Sequence, residues 1–347
     1  MGSGVDFTLD EAQRAIADLA ASVLRSDPDD GRVLGALASP LGYDEAAWKA
    51  LGQAGLLALG LPESLGGDGL GALATGLVLT EAGRQVLPLP ALATLALGVL
   101  PLARYGTPEQ CAALLPEVAH GQVLTAALRG GDVRLSGSTI SGTRIGVGYA
   151  EQAHRILVPT SAGTAVVDPS ASGVTLTRTP TSTGAPEYTV EFDDAPVESM
   201  FDASPADLDR FAVAGAAAVA DGVLAGALAL TAEHLRTREQ FGRPLATFQA
   251  VAQQVADVYV VARTVHLAAV SAAWRLEAGL DADEDLAIAA YWLAAELPRA
   301  LQVCHHLHGG LGVDITYPLH RYYSHAKDLA RFVGGAAYRL DLLGARL

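Results

Sequence analysis

The chain has 347 residues, of which half are hydrophobic, and this length suits two or three packed regions better than one small core. Its 38 acidic and 23 basic residues give a formal net charge of −15, which opposes binding along a nucleic-acid backbone. The two cysteines, Cys111 and Cys304, lie far apart and form neither a disulfide framework nor a CxxC metal pair. We therefore expect a cytoplasmic protein without a nucleic-acid partner.

Residues 1–121 are predicted to form an N-terminal helical domain. The start of the chain lacks the basic patch and apolar run of a secretory signal. Thr8 and Glu11 have the spacing of a capping box and predict the start of the first helix there. Further helices are expected over residues 44–53 and 71–83. Thr107 followed by Pro108 predicts a cap and a first-turn proline at the start of another.

Residues 122–203 are predicted to form a small antiparallel β domain. The hydrophobic period changes here to short alternating or β-branched runs, which Gly, Pro, Ser and Asp turns separate. The predicted strands cover residues 139–148, 155–160, 164–168, 174–178 and 187–192.

Residues 204–347 return to long helices and are predicted to form a C-terminal helical bundle. The helices are expected at 208–237, 247–278 and 283–306, with shorter ones from about residue 317. Helices, then strands, then a bundle make an α+β chain with segregated elements. Residues 211–232 approach membrane length, but Ala and Gly dominate them, so we predict close packing inside the bundle and no membrane span.

Residues 238–249 read Arg-Glu-Gln-Phe-Gly-Arg-Pro-Leu-Ala-Thr-Phe-Gln and lie where two of these helices meet. A planar guanidinium presents two parallel donors and keeps its charge, so Arg238 is suited to hold a pyrophosphate. Phe241 is suited to pack against an adenine, while Gly242 and Pro244 sharpen the turn. The alternative interpretation is a capped corner between helices with a solvated arginine.

Residues 304–312, Cys-His-His-Leu-His-Gly-Gly-Leu-Gly, place three glycines at the end of a helix. Gly309, Gly310 and Gly312 leave room for a ligand to approach the backbone closely. The segment differs from a dinucleotide-fold fingerprint, because no strand precedes it and the glycine spacing differs.

The histidines of the same segment raise the possibility of a metal site. His305 and His306 are neighbours and diverge by about 100 degrees on a helix, and no nearby carboxylate or cysteine pair completes a site with His308. We therefore predict no metal.

Both segments resemble parts of the acyl-CoA dehydrogenase family. Residues 238–249 match its flavin-contacting pattern Arg-x-Gln-Phe-Gly-x-Pro-Leu-x-x-Phe-Gln, and residues 306–312 match Gln-x-x-Gly-Gly-x-Gly with His306 in place of the glutamine. Residues 54–69 and 105–116 look like the family's helical domain, so the likeness covers essentially the whole chain. It implies FAD bound at the interface of a bundle through which subunits pair. The implied FAD contacts are Arg238, Phe241, Phe248, Gln249, His306, Gly309, Gly310 and Gly312.

The chain departs from the family at the positions of its catalytic base. Family members remove the α proton of a CoA thioester with a glutamate, for which the corresponding position is Val333 or, in other members, Ala212. Neither side chain accepts a proton, so no catalytic residue is predicted. Asp209 lies nearby in sequence but on another helix face, where it suits an N-terminal dipole partner.

A second departure concerns the part of the family fold that lies against the flavin ring. Gly146 and Gly148 stand where family members carry a tryptophan and a threonine. In the family, the segments that this chain retains reach the neighbouring subunit's FAD, whereas the base and the ring cradle act within one subunit.

This division implies an obligate partner: a homologous subunit that bears the base. The chain resembles the base-lacking subunit of actinobacterial two-plus-two heterotetrameric acyl-CoA dehydrogenases that desaturate steroid side-chain CoA esters. The resemblance implies an acyl-CoA substrate and an electron-transfer acceptor. Two alternatives stay open: a self-sufficient enzyme that uses Asp209 or Asp221 as its base, and a non-catalytic interaction subunit.

Overall fold

The computed structural model describes residues 7–25 and 30–345 and has the predicted α+β class, with helical segments on either side of a β-rich one. The described residues divide into two compact units. One contains residues 7–25, 76–86 and 216–345, and the other contains residues 30–75 and 87–215. The domain boundaries after residues 121 and 203 stay a prediction.

The α-helices of the described chain are α1 (Glu11–Leu24), α2 (Asp30–Ala38), α3 (Glu45–Gln53), α4 (Ala72–Gln85), α5 (Leu100–Tyr105), α6 (Pro108–Ala119), α7 (Pro205–Thr237), α8 (Gln249–Glu277), α9 (Asp283–His308), α10 (Leu319–Phe332) and α11 (Gly335–Gly344). The strands are β1 (Val123–Ala126), β2 (Arg129–Gly130), β3 (Arg134–Ser136), β4 (Thr139–Gly148), β5 (Ala153–Thr160), β6 (Gly163–Val167), β7 (Val174–Thr179), β8 (Glu187–Pro196), β9 (Ser199–Phe201), β10 (Glu239–Gln240) and β11 (Arg243–Pro244).

Side-chain caps fix the residues at which helices α6 and α1 begin. Thr107 caps α6 as predicted, because its hydroxyl accepts from the Gln110 backbone and the Gln110 side chain accepts from the Thr107 backbone. The predicted cap of α1 at Thr8 is wrong: Asp10 caps that helix and forms the box with Gln13. Asp is as good a cap as Thr, and Gln13 completes the reciprocal pair three residues later.

Most strands pair antiparallel, as predicted, but one pair does not. The first sheet has the order β1-β5-β6-β9, in which β1 and β5 run parallel. The second has the order β2-β4-β8-β7, with β3 also paired to β4. Strand β4 has the predicted bounds, and its pairing with β8 is irregular between Arg144 and Val147.

Small residues let α4 and α7 approach closely within the first unit. A Cβ atom at Gly222 would lie 1.8 Å from the Thr80 carbonyl oxygen, and one at Gly83 would lie 2.3 Å from the Val219 carbonyl oxygen. By length and composition, α7 and α8 could each cross a membrane, but most of the apolar window of α7 is buried inside the protein. Only 22% of the corresponding window of α8 is buried.

Candidate functional site

A two-residue hairpin connects α7 to the segment before α8. The helix ends at Thr237, and the Arg238 N–H still donates to the His234 carbonyl at 2.8 Å. The Arg238 carbonyl in turn accepts from Leu245 N–H at 2.9 Å, which closes the base of the hairpin. Strands β10 and β11 pair Gln240 with Arg243. The flavin-contacting pattern predicted from the sequence thus forms one ordered turn.

Phe241 occupies the tip of this hairpin in an unusual backbone conformation. Its φ is +54° and that of Gly242 is +76°, as in the type I′ turns that suit two-residue hairpins. A positive φ is costly for a residue with a Cβ atom and suggests a functional constraint when it is retained. The ring is 92% exposed and touches Phe248 only edge-on, with the centroids 6.2 Å apart. The turn therefore projects a large aromatic ring away from its own core.

Two cations, Arg238 and Arg243, belong to the same hairpin. Arg238 is exposed, and no carboxylate of the described residues forms a salt bridge with it. The guanidinium of Arg243 lies 4.2 Å from the centroid of the Phe248 ring, a cation–π contact. Gln249, the first residue of α8, is exposed beside them. The corner offers positive charge, a planar aromatic surface and an amide on one side.

The glycine segment at the end of α9 combines one tight position with an open stretch. Gly312 is buried, and a Cβ atom there would lie 2.9 Å from the His305 carbonyl oxygen. Gly309 has a φ of +59° and continues the chain beyond the helix, while Gly310 is exposed, and a Cβ atom there would meet open space. His306 is also exposed. Gly312 thus serves packing, whereas Gly309 and Gly310 leave backbone accessible.

A contact between two histidines brings the hairpin and the glycine segment together. The rings of His234, near the end of α7, and His308, the last residue of α9, stack with their centroids 4.4 Å apart and their planes 18° from parallel. Sequence reasoning missed His234, although it lies four residues before Arg238 and so on the same side of the chain.

The other end of the α8 and α9 pair shows that they run antiparallel. Arg275, near the end of α8, pairs with Asp285, near the start of α9, at 2.9 Å. The first turn of α8, with Phe248 and Gln249, therefore lies at the same end as the last turn of α9. All the predicted FAD contacts accordingly belong to one end of one compact unit.

Both positions predicted for the family base are buried and apolar. Val333 follows α10, is 0% exposed, and its carbonyl accepts from the Arg339 guanidinium. Ala212 lies in α7 and is also 0% exposed. Neither position offers a proton acceptor to a substrate.

The two aspartates considered as alternative bases already have partners. Asp209 forms an ion pair with Arg129 at 2.6 Å, a specific contact that the predicted dipole role did not include. Asp221 is buried, and its carboxylate contacts the His266 ring at 2.9 Å. Each carboxylate is held by a cation or a ring, so neither is free to receive a substrate proton without first losing that contact.

The backbone of β4 favours glycine at the position where the resemblance predicts a tryptophan in other family members. Gly146 has a φ of +67° and lies in the irregular part of the pairing with β8. A tryptophan would be strained in this conformation. The carbonyl of Gly148 accepts from the Thr125 hydroxyl at 2.8 Å, so the strand is tied down at this point.

The histidines of α9 have separate environments. His308 is buried, and its Nδ1 lies 2.8 Å from the Cys304 carbonyl oxygen. His305 contacts the Tyr323 ring edge-on, whereas His306 faces solvent. Over residues 7–25 and 30–345, no group of three His, Cys, Asp or Glu side chains is placed to hold a metal ion.

Comparison with known proteins gives matches along almost the whole chain. The family model described as acyl-CoA dehydrogenase, N-terminal domain, matches residues 10–122, and the model described as acyl-CoA dehydrogenase, C-terminal domain, matches residues 206–347. Acyl-CoA dehydrogenase FadE28 of Mycobacterium tuberculosis is 46% identical over 353 residues, covering 99% of both proteins.

Two solved structures of related proteins are similar over their full length. One is the Tcur3481-Tcur3483 steroid ACAD G363A variant, with a TM-score of 0.91, 34% identity, and coverage of 97% of this chain and 98% of that one. The other is the ChsE4-ChsE5 complex from Mycobacterium tuberculosis, with a TM-score of 0.90, 33% identity and 98% coverage of both chains.

Proposed function

Because the chain belongs to the acyl-CoA dehydrogenase family, a family of FAD-dependent oxidoreductases, we propose that it is the base-lacking subunit of a hetero-oligomeric member. Its role is to complete the FAD site of a different subunit that bears the catalytic glutamate. The observation that carries the proposal is the pair of base positions, Val333 and Ala212, which are both apolar and fully buried. A homo-oligomer of this chain would have no side chain at either position to take the α proton of a CoA thioester.

The residues at the hairpin fit the dinucleotide end of FAD. The exposed guanidinium of Arg238 can donate two parallel hydrogen bonds to a pyrophosphate. The projecting ring of Phe241 offers a flat apolar surface to an adenine, and the open backbone at Gly309 and Gly310 lets phosphate or ribose oxygens approach. FAD supplies hydride acceptance in this family, while the residues of this chain bind and orient the cofactor.

The exposure of these groups favours a cofactor that lies mainly in another polypeptide. The Phe241 ring, 92% exposed at a positive φ, and the Arg238 guanidinium, which has no carboxylate partner among the described residues, are both available for contact with another chain. They become useful when a partner covers them. The relatives named as the Tcur3481-Tcur3483 steroid ACAD and as the ChsE4-ChsE5 complex support a homologous partner subunit.

The substrate class that we propose is a CoA thioester, with a steroid side-chain ester as its acyl group. This assignment rests on the similarity to the Tcur3481-Tcur3483 steroid ACAD, which is 34% identical over nearly the whole chain. We further propose a two-plus-two assembly, a separate electron-transfer acceptor and a cytoplasmic location.

The net charge of −15 gives no long-range attraction to an anionic CoA ester, so local cations must hold it.

Coexpression tests the proposal directly. Purified alone, the chain should bind little flavin and turn over no acyl-CoA. Coexpressed with a homologue that carries the glutamate, it should copurify with about one FAD for each pair of unlike chains, on the assumption that each pair forms a single site. Full flavin loading and acyl-CoA turnover by this chain alone would overturn the proposal and favour a self-sufficient enzyme.

The alternative bases can be tested in the same way. If a homomer were active, Asp209→Asn or Asp221→Asn should abolish its turnover. We expect neither change to remove activity from the hetero-oligomer, because Arg129 and His266 already occupy these carboxylates. Arg238→Ala distinguishes the proposal from a non-catalytic interaction subunit. If the chain completes the FAD site, complex formation should survive but flavin retention should fall. A non-catalytic interaction subunit should retain flavin unchanged.

A further inference from the structure

His234 and His308 form a direct contact between the end of α7, which leads into the hairpin, and the glycine segment. Their rings stack 4.4 Å apart at 18°. Stacked or edge-on aromatic pairs contribute about 0.5–1.5 kcal/mol beyond the area that they bury. The contact therefore has enough energy to influence how the two segments are held.

Each histidine is joined covalently or by one hydrogen bond to a proposed FAD contact. The carbonyl of His234 accepts from the Arg238 N–H, so a shift of His234 moves the base of the hairpin. His308 directly precedes Gly309, where the chain leaves α9. The stack thus connects the backbone that leads to Arg238 with the open backbone at Gly309.

The hydrogen bonds of His308 identify which tautomer its neutral ring adopts. The Cys304 carbonyl can only accept, so Nδ1 of His308 carries a proton and donates to it. The Nε2 atom lies 3.1 Å from the Tyr317 hydroxyl, which can donate to it when the ring is neutral. Protonation would turn Nε2 into a donor and require this hydroxyl to reverse.

The surroundings of the pair disfavour positive charge. Burial lowers the pKa of His308; the hydrogen bond to Cys304 opposes this change, and nearby His234 and His305 add to it. Burial also lowers the pKa of His234, and the charge of Arg238 lowers it further. From α10, His320 acts on His305, whose pKa burial lowers as well.

We propose that the stacked His234–His308 pair is a positioning element of the FAD site that this chain completes, and that protonation of the pair loosens the cofactor. The proposal rests on the proposed function, since it concerns the same site. Its physical basis is that a neutral pair stacks and holds both segments, whereas a charged pair repels itself and the neighbouring Arg238.

The direction of the pH effect follows from the lowered pKa values. Between those values and the ordinary histidine pKa of about 6.5, the unfolded chain binds more protons than the folded one. The stabilisation that the neutral pair provides is therefore present above about pH 6.5 and is lost as the pH falls through the lowered values. Flavin retention should decline as the pH falls through the lowered values, because the folded pair becomes charged there.

The experiment uses the coexpressed complex and measures the fluorescence of released FAD after equilibration between pH 8 and pH 5. At pH 8, His234→Ala should weaken FAD retention by about two- to twelvefold, the affinity change that corresponds to an aromatic pair. His234→Phe keeps a ring but has no proton to gain, so it should retain FAD within about twofold of the unmodified complex at pH 8. Its loss of FAD on acidification should begin at a lower pH.

A matched control is His120→Phe, since His120 is exposed at the end of α6 and belongs to the other compact unit. It should leave both the affinity and the acid dependence unchanged. The histidine proposal is overturned if His234→Ala retains FAD normally at pH 8, or if His234→Phe loses FAD at the same pH as the unmodified complex. If Arg238→Ala also retains FAD fully, the proposed function itself fails; if Arg238→Ala releases FAD, only the histidine proposal does.

Discussion

The hairpin at residues 238–245 and the two positions predicted for the family base differ in exposure, charge and backbone geometry. Phe241 is 92% exposed at a φ of +54°, whereas Val333, which directly follows α10, and Ala212, within α7, are fully buried and have negative φ angles. The hairpin retains strain and exposure that do not benefit the isolated chain. The base positions have become part of the core. This contrast supports a subunit whose retained chemistry serves another polypeptide.

The largest expected effect is that of restoring a carboxylate at the buried base position. Val333→Glu should lower the free energy of unfolding by about 3–5 kcal/mol, because the side chain is fully buried and the nearby guanidinium of Arg339 already donates to the Val333 backbone carbonyl. Urea denaturation of the isolated chain measures this change. Val333→Gln introduces a side chain of the same size as glutamate but without its charge, so it should lower the free energy of unfolding by less. A stable Val333→Glu variant that gains acyl-CoA turnover as a homomer would contradict the view that this position now serves only the core.

Removing the cation of the hairpin should affect cofactor binding and leave folding unchanged. Arg238→Ala should weaken FAD retention in the complex by about 1.5–3 kcal/mol, or about 10- to 150-fold, the value of a charge-assisted hydrogen bond. Equilibrium dialysis of the complex measures it. Because Arg238 is exposed, the unfolding free energy of the isolated chain should change by less than about 0.5 kcal/mol. Unchanged FAD retention would indicate that residues 238–249 only form a corner between two helices, with Arg238 in solvent.

The glycine segment allows folding and cofactor access to be separated. Gly312→Ala should destabilise the chain by about 1–3 kcal/mol, since its Cβ would lie 2.9 Å from the His305 carbonyl oxygen. Gly310→Ala meets open space and should change stability by less than about 0.5 kcal/mol while weakening FAD retention. Thermal unfolding of the isolated chain, paired with dialysis of the complex, measures both. Equal destabilisation by the two changes would be inconsistent with a packing role for Gly312 and an open position at Gly310.

The smallest expected effect tests the strain at the hairpin tip. Phe241→Gly should stabilise the isolated chain by about 0.5–1 kcal/mol, because glycine adopts a positive φ more readily than phenylalanine. The same change should weaken FAD retention in the complex. Gly242→Ala, at a φ of +76° in the same turn, should instead destabilise the chain by about 1 kcal/mol. Destabilisation by Phe241→Gly would show that the ring serves folding.

Elements with local signals could be predicted from the sequence. The cap at Thr107, the bounds of β4 and the long helices α7 to α9 follow from short-range chemistry and hydrophobic period. The π-helix at Leu92–Val99 and α5 were not predicted, because the run is apolar and almost wholly buried, which removes the polar face that reveals a helical period. The parallel pairing of β1 with β5 depends on residues far apart in the chain and has no local signal.

The sequence by itself determined which chemical groups are present: an arginine and a phenylalanine in the segment that resembles a flavin-contacting pattern, three glycines after a helix, and no carboxylate at either predicted base position. Only the tertiary structure decided which of these groups face solvent and which meet. It exposed Phe241 in a strained turn, and it stacked His234 on His308 across two helices. Residue identity is set by the local chain, whereas burial and ring stacking depend on how distant segments pack, which no short pattern encodes.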